Sequence, residues 1–275
     1  SSDSDFSFVH EDLLIYMKNR LSGFGTIPMD EKTKRLYSNP DNDPRGLWAS
    51  ADYTAKWTPQ ERPTLYYQIE NPFTKQKVYP HRNRVWNCSP EVHQKNVQDN
   101  RVWWGLRGEL RVPRYKRFLS ESRGGIVPRS IWDDVGGNQD GLYDFLSLDF
   151  KKEFFSNPKP VKYIKRMVQI ATKKDAQDIV VDFFAGSGTT AQSVLELNKQ
   201  DGGNRKALLI QLSEKTSEDS EAYKANYKSI ADICKDRTRR VNKKIKEEVE
   251  AQPDLFKDKP LDLGFTTQDF QTAGT

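Results

Sequence analysis

The sequence predicts an α/β protein carrying an irregular insert rich in β-strand and loop. Three observations lead there. Asp178–Thr190, DIVVDFFAGSGTT, passes from an apolar, initially β-branched run through a glycine turn into a helical pattern. A second strand pattern, Lys206–Leu212, follows that helix (189–198, TTAQSVLELN) after the turn signal Asp201-Gly202-Gly203-Asn204. Between Gly23 and about Val127 the texture changes: prolines fall at 28, 40, 44, 59, 63, 72, 80, 90 and 113, with aromatic residues recurring between them. That spacing favours short strands and loops over long helices.

Along the chain, Ser1–Asp5 is polar, and Ser7–Lys18 reads as a strand around the apolar core LLIY. Within the proline-rich region, Leu65–Ile69 and Arg107–Tyr115 are the candidate strands. Helices return after Pro128: a short one at Asp140–Leu148, then an amphipathic one at Lys159–Thr172 with Val161, Ile164, Val168 and Ile170 or Ala171 near helical spacing. Asp178–Phe184 and Lys206–Leu212 are strands flanking the 189–198 helix. Glu218–Glu250 is a long helical pattern with a broken apolar stripe through Tyr223, Tyr227, Ile230, Cys234, Val241, Ile245 and Val249, ended by Pro253. Its basic run, Arg237–Lys246, reads as a solvated face, with DNA contact as the alternative. Residues 1–30 and 131–275 are assigned to an α/β core, and 31–130 to the insert.

Composition narrows the function. No apolar run reaches the length of about 18 residues that crosses a membrane. No charged-then-apolar leader opens the sequence. Cys88 and Cys234 lie far apart and suit a reducing cytoplasm; they and the three histidines, His10, His81 and His93, lack metal-ligand spacing. The net charge is +5, unevenly spread: residues 31–130 hold 19 Lys/Arg against 10 Asp/Glu, a net +9, so the rest carries −4. A basic segment set against an acidic remainder points to a polyanion partner.

Strand, glycine turn and helix present backbone N–H groups and a positive helix end to a nucleotide-like ligand. Gly186 and Gly188 permit close approach of that ligand. Asp182, just before the turn, can accept from a ligand hydroxyl or amine. A phosphate-binding P-loop needs a lysine after the second glycine; Gly188-Thr189-Thr190 has none, which excludes that class of NTPase.

DFFAGSGTT resembles the cofactor loop of DNA amino-methyltransferases. Asn157-Pro158-Lys159-Pro160, opening the helix before it, resembles the segment these enzymes place there. NKQDGGNRKALLIQLSE (198–214), IADICKDRTRRV (230–241) and HEDLLIYMKN (10–19) resemble the modification subunit of type III restriction-modification systems, which are β-class N6-adenine DNA methyltransferases. The resemblance implies a partial Rossmann-like methyltransferase fold with 31–130 as the target-recognition region. It also implies S-adenosyl-L-methionine as cofactor, double-stranded DNA as substrate, a homodimer and a restriction subunit as partners. On it, Asn157, Lys159 and Pro160 hold the amino-acid end of the donor. Asp182, Phe183, Phe184, Gly186, Ser187, Gly188, Thr189 and Thr190 line the pocket. Relatives place an acid at the end of the second strand for the ribose; here Gln211 stands there with Glu214 three residues on, and either can serve.

In the insert, cations interleave with rings. The densest cluster, Arg111, Arg114, Lys116 and Arg117, is the candidate DNA contact, and most of the rings are expected to form the core of the insert. These enzymes also carry an Asp/Asn/Ser-Pro-Pro-aromatic motif that grips the flipped base. No Pro-Pro pair occurs in this sequence, and Asn71-Pro72-Phe73 reads as a turn. In the β-class order that motif precedes the HEDLLIYMKN-like segment, so the expectation is a fragment that binds DNA and donor without transferring methyl. The rival from another class is a non-catalytic DNA-binding module with a vestigial nucleotide fold. A dinucleotide-dependent oxidoreductase ranks last, because no hydride-transfer acid or base is evident.

Overall fold

The structure is a computed structural model, and it describes residues 10–19, 23–122, 124–253 and 261–268. The chain divides into two compact units, Thr26–Pro128 and a second formed by residues 1–25 with 129–275.

In the unit Thr26–Pro128, a single turn of helix, α1 (Glu31–Lys34), is capped by Asp30. Strands β1 (Tyr37–Ser38), β2 (Trp48–Asp52), β3 (Thr54–Ala55), β4 (Ile69–Glu70), β5 (Lys77–Val78) and β6 (Val85–Trp86) follow. Then come helix α2 (Pro90–Gln98), β7 (Val102–Trp103) and β8 (Arg114–Phe118). The main sheet is antiparallel, in the order β1-β2-β8-β7, and β3–β6 and β4–β5 form two-stranded ribbons. Tyr53, Ile69, Val78, Trp86 and Trp104 make the core, so rings do fill the interior; Trp57, Phe73 and Tyr79 stay exposed. Two of the expected strands shift. Leu65–Ile69 is a 3₁₀ turn over Pro63–Leu65 with pairing only from Ile69, and within Arg107–Tyr115 the chain pairs only from Arg114. Pro63 opens the 3₁₀ turn, and Pro113, which has no N–H to give a ladder, stands immediately before the first paired residue of β8. Helix α2 lies where the texture predicts none: Ser89 accepts from Val92 N and Pro90 occupies the first helical turn, a local start signal that outweighs the surrounding prolines.

In the other unit, the described part of the expected strand 7–18, residues 10–19, forms no strand, and Leu14, Ile15 and Tyr16 are exposed. A strand exists only where a neighbouring strand takes its backbone hydrogen bonds, and no ladder among the described strands includes 10–19. Residues 7–9 lie outside the described part. Helix α3 (Asn138–Leu146) leads to α4 (Val161–Ala171), strand β9 (Ile179–Asp182), helix α5 (Thr189–Asp201) and strand β10 (Lys206–Leu209). The strands pair in parallel, Ile179 opposite Lys206 through Asp182 opposite Leu209. Val180 points to the α4–α5 side, where Val168, Val194 and Leu197 are buried. Ile179, Val181 and Leu208 point the other way and are exposed.

The long pattern 218–250 is two helices, α6 (Glu221–Lys224) and α7 (Ile230–Ala251). Asn226 takes a left-handed φ of 72°. The chain turns back there and Lys215 bridges Ser229. Ser229 then restarts the helix in a capping box with Asp232. Phe145, Phe150, Phe154, Ile233, Val241 and Ile245 form the core that seats α7.

Candidate functional site

The site of interest is the turn between β9 and α5. Parallel pairing fixes where β9 ends, and Ile210 N donates to Asp182 O at 2.8 Å, extending the ladder to the turn. The next residues leave the sheet: Gly186 and Gly188 adopt φ of 53° and 84°. That left-handed geometry is costly for any residue bearing a Cβ. A Cβ on Gly188 would sit 3.0 Å from Cys234 Sγ and 3.2 Å from Cys234 O, so the turn lies directly against α7.

Asp182 is committed to the turn itself. Its carboxylate accepts from Phe184 N at 3.0 Å and from Thr190 Oγ1 at 2.6 Å, tying the strand end to the first turn of α5. Gln211 Oε1 accepts from Gly186 N at 2.7 Å. The amide is therefore a brace for the loop, and of the two candidate ribose acceptors Glu214 is the exposed one. Ser187, Thr189 and Thr190 are buried against the fold, whereas Phe183 and Phe184 are 65% and 88% exposed and flank the loop as two open rings.

Asn157-Pro158-Lys159-Pro160 is held against the same region. Asn157 has a φ of 53°, Pro158 is fully buried, and Pro160 precedes the first residue of α4. Phe155, just upstream, would lie 3.2 Å from a Cβ on Gly186, and Ser193 Oγ of α5 donates to Val161 O at 3.2 Å. Lys159 Nζ is exposed and reaches Glu11 at 2.8 Å. Two residues here carry no motif signal. Asp144 accepts from Val161 N at 2.8 Å and so caps α4; burial pushes its carboxyl above the usual range. Gly141 lets α3 touch the Pro158 carbonyl, which a Cβ would strike at 1.9 Å. A spacing of three between two small or acidic helix residues is too common to flag either.

The basic run on α7 divides by helical period. Arg240 and the lysines face outward to varying degrees, but Arg237 is 0% exposed and is no part of a solvated face. It donates from Nε to Gln192 at 2.9 Å, and from Nη1 to Ser187 Oγ at 2.8 Å and Thr189 Oγ1 at 2.9 Å. Burial draws its guanidinium down to about 10. The same burial lifts the Cys234 thiol to about 11.

In the unit Thr26–Pro128 the expected DNA cluster is divided by strand period 2. Arg111 and Arg117 are exposed. Arg114 pairs with Asp52 and donates to Ser50 Oγ at 3.0 Å. Lys116 is 1% exposed, ion-paired to Asp41 and to Asp43 at 3.3 Å, and flanked by the rings of Trp48 and Trp103 at 5.4 and 5.7 Å. It is an interior cation, not a surface one. Among the described residues no three metal-ligating side chains come together, and no helix there is long and apolar enough to cross a membrane.

Comparison with known proteins gives the family. The family model described as DNA methylase matches residues 1–222. The Mod subunit of the type III restriction-modification enzyme StyLTI, from Salmonella typhimurium, is 32% identical over 90% of this chain and 36% of its own length. The EcoPI Mod subunit, from Escherichia phage P1, is 30% identical over 87% of this chain and 40% of its own. The type II methyltransferase M.KpnI, from Klebsiella pneumoniae, is 28% identical over 84% of this chain and 57% of its own. The chain thus spans between about a third and somewhat over half of these relatives.

Proposed function

This chain belongs to the DNA methylase family, and from that premise we propose that it is the recognition and donor-binding part of a type III modification enzyme, an S-adenosylmethionine-dependent, Rossmann-like N6-adenine DNA methyltransferase. The observation that carries this reading is the glycine turn at the carboxyl end of a parallel strand, braced by Asp182 and Gln211, with exposed rings on one side.

The residues present fit the donor. Its amino-acid end needs a charged or polar grip, which Lys159 and Asn157 offer beside the turn. Its adenine needs an apolar slot, which Phe183 and Phe184 offer. Its ribose needs an acceptor, and Glu214 is exposed while Gln211 is engaged by Gly186. Bound there, the donor supplies an already activated methyl group, so the protein's task is alignment. The N-terminus of α5 orients the ligand, while the amides of Phe184, Ala185, Gly186 and Gly188 are spent on holding the turn.

The unit Thr26–Pro128 is the DNA-reading part on this view. Its side of the charge imbalance favours phosphate contact, and of the expected cluster Arg111 and Arg117 are the exposed cations that can make it. A target adenine must leave the stack to react. The group that would hold its amine, the Pro-Pro-aromatic motif, is absent from this sequence, so the chain alone binds without methylating. The exposed apolar row Ile179, Val181 and Leu208 supports pairing and packing with further α/β structure, because parallel sheets bury both faces. The partners on this reading are double-stranded DNA, a second copy of the enzyme and a restriction subunit.

Two measurements test it. Labelled S-adenosylmethionine should bind where NAD does not; equal binding of NAD, or none of either, defeats the donor assignment. With tritiated donor and a mixed-sequence duplex, transfer above background defeats the inactivity. DNA binding without any donor binding would favour the non-catalytic module.

A further inference from the structure

We propose that Arg237 is the positioning residue of the glycine turn: from α7 it fixes the turn and the first residues of α5 in the form that receives the ligand. The inference rests on the reading of that turn as the donor site.

The guanidinium is completely buried, and three of its hydrogen bonds end on Ser187, Thr189 and Gln192, one residue in the turn and two in the first turn of α5. All three acceptors are neutral oxygens. Among the described residues no carboxylate lies within ion-pair distance of Arg237, and Nη2 is buried with no hydrogen-bond partner. Compensation comes through space, from the Asp144 and Glu196 carboxylates, and from the face of Phe145, 5.5 Å from Cζ. A buried cation with no carboxylate in contact is a costly way to fill an interior, and an apolar side chain of similar volume would avoid that cost. What an apolar side chain cannot supply is a rigid planar fork whose donors leave in fixed directions. Those directions bind three points, at 187, 189 and 192, that bracket the left-handed Gly188.

The helix reinforces the fork. Cys234, one turn before Arg237 on α7, lies close enough to Gly188 that a Cβ there would meet its sulfur at 3.0 Å. Cys234 therefore limits how far the turn can move toward α7, and Arg237 limits how far it can move away. Asp182 and Gln211 restrain the turn from the sheet side, so Arg237 is its only side-chain tether to α7 among the described hydrogen bonds.

The test uses the whole chain and reads the turn directly. In Arg237→Met, amide exchange over 183–190 should accelerate at least tenfold, while the distal half of α7 exchanges as in the parent. Affinity for S-adenosylhomocysteine, measured by calorimetry, should fall at least tenfold. Arg237→Lys keeps the charge without the fork and should behave like the Met variant. Should Arg237→Met fail to fold, Ser187→Ala combined with Thr189→Val removes both Nη1 acceptors and is expected to give the same local acceleration. Unchanged exchange in the turn overturns the proposal, as does acceleration spread evenly through the unit, or parental behaviour in Arg237→Lys. Accelerated exchange with undiminished affinity overturns it too. If the parent itself binds no S-adenosylhomocysteine, the donor-site reading fails, and the exchange pattern alone decides the role of Arg237.

Discussion

Neighbouring cations on β8 should fail in different ways when changed. Lys116 and Arg117 are adjacent in sequence, but strand alternation sends the first inward and the second to solvent. Lys116→Met keeps the buried stem and removes the ammonium from Asp41 and Asp43. Breaking a buried pair by removing one partner typically costs about 3–5 kcal/mol. Asp43, fully buried, retains Arg45 at 2.9 Å and Asn100 at 3.2 Å, and Asp41, 17% exposed, retains Trp48 Nε1 at 2.9 Å. The cost should therefore fall near the lower end, about 3 kcal/mol, which lowers a urea midpoint by roughly 1–3 M at ordinary slopes. Arg117→Glu touches no described partner and should leave stability within about 0.5 kcal/mol. Its effect should appear in DNA binding, where each lost phosphate contact reduces the slope of log K against log salt by about 0.9. The assays are urea unfolding followed by tryptophan fluorescence, and duplex binding across a salt series. A Lys116→Met protein with a parental midpoint but weakened DNA binding would refute the assignment of Lys116 to the interior.

Other expectations follow from the same geometry. Gly186→Leu forces a left-handed residue and presses on Phe155, so calorimetric binding of the methyl donor should vanish while the unit stays folded. Asp182→Ala strips acceptors from Phe184 N and Thr190 Oγ1 and should destabilise by about 1–3 kcal/mol, read as a fall in the denaturant midpoint. The Arg166 guanidinium holds the Asp134 carboxyl down to about 2, and Arg45 holds that of Asp43 lower still. Both folded values lie below the unfolded one, so their stabilisation is complete above about pH 4 and is lost as pH falls toward 2. A midpoint that rose on acidification across that window would contradict the sign. The Cys234 thiol, lifted by burial, should resist alkylation at pH 8 until the protein is denatured.

Much of the α/β unit was legible because its signals are local. β9, its glycine turn and α5 read directly from apolar run, glycines and helical period, and α4 from its amphipathic spacing. What the sequence hid depended on neighbours in space. Residues 10–19 carry a strand pattern, yet pattern alone supplies no pairing partner. Arg237 and Lys116 look like any surface cation in a basic run, and only the packing of α7 on the turn and of β8 on β2 buries them. Gln211 was legible as a position of interest but not as a brace, since its partner Gly186 is 25 residues away. Helix α2 is announced only by Ser89 and Pro90, a local signal set within a proline-rich texture that favours loops.

The unit Thr26–Pro128 begins and ends at one point: Ile27 and Ile126 form an antiparallel bridge, with reciprocal N–H···O contacts of 2.9 Å in both directions. Gly125 sits so close to the Ile27 carbonyl that a Cβ would come within 2.3 Å. For the rest of the chain, a hundred residues therefore amount to a single short loop, whose closure is set by the bridge and not by what it encloses. A cassette with the same clasp can be exchanged there without re-tuning the other unit. If this unit reads DNA as proposed, altering the sequence read becomes a matter of splicing at two adjacent peptide bonds, provided that glycine is carried along.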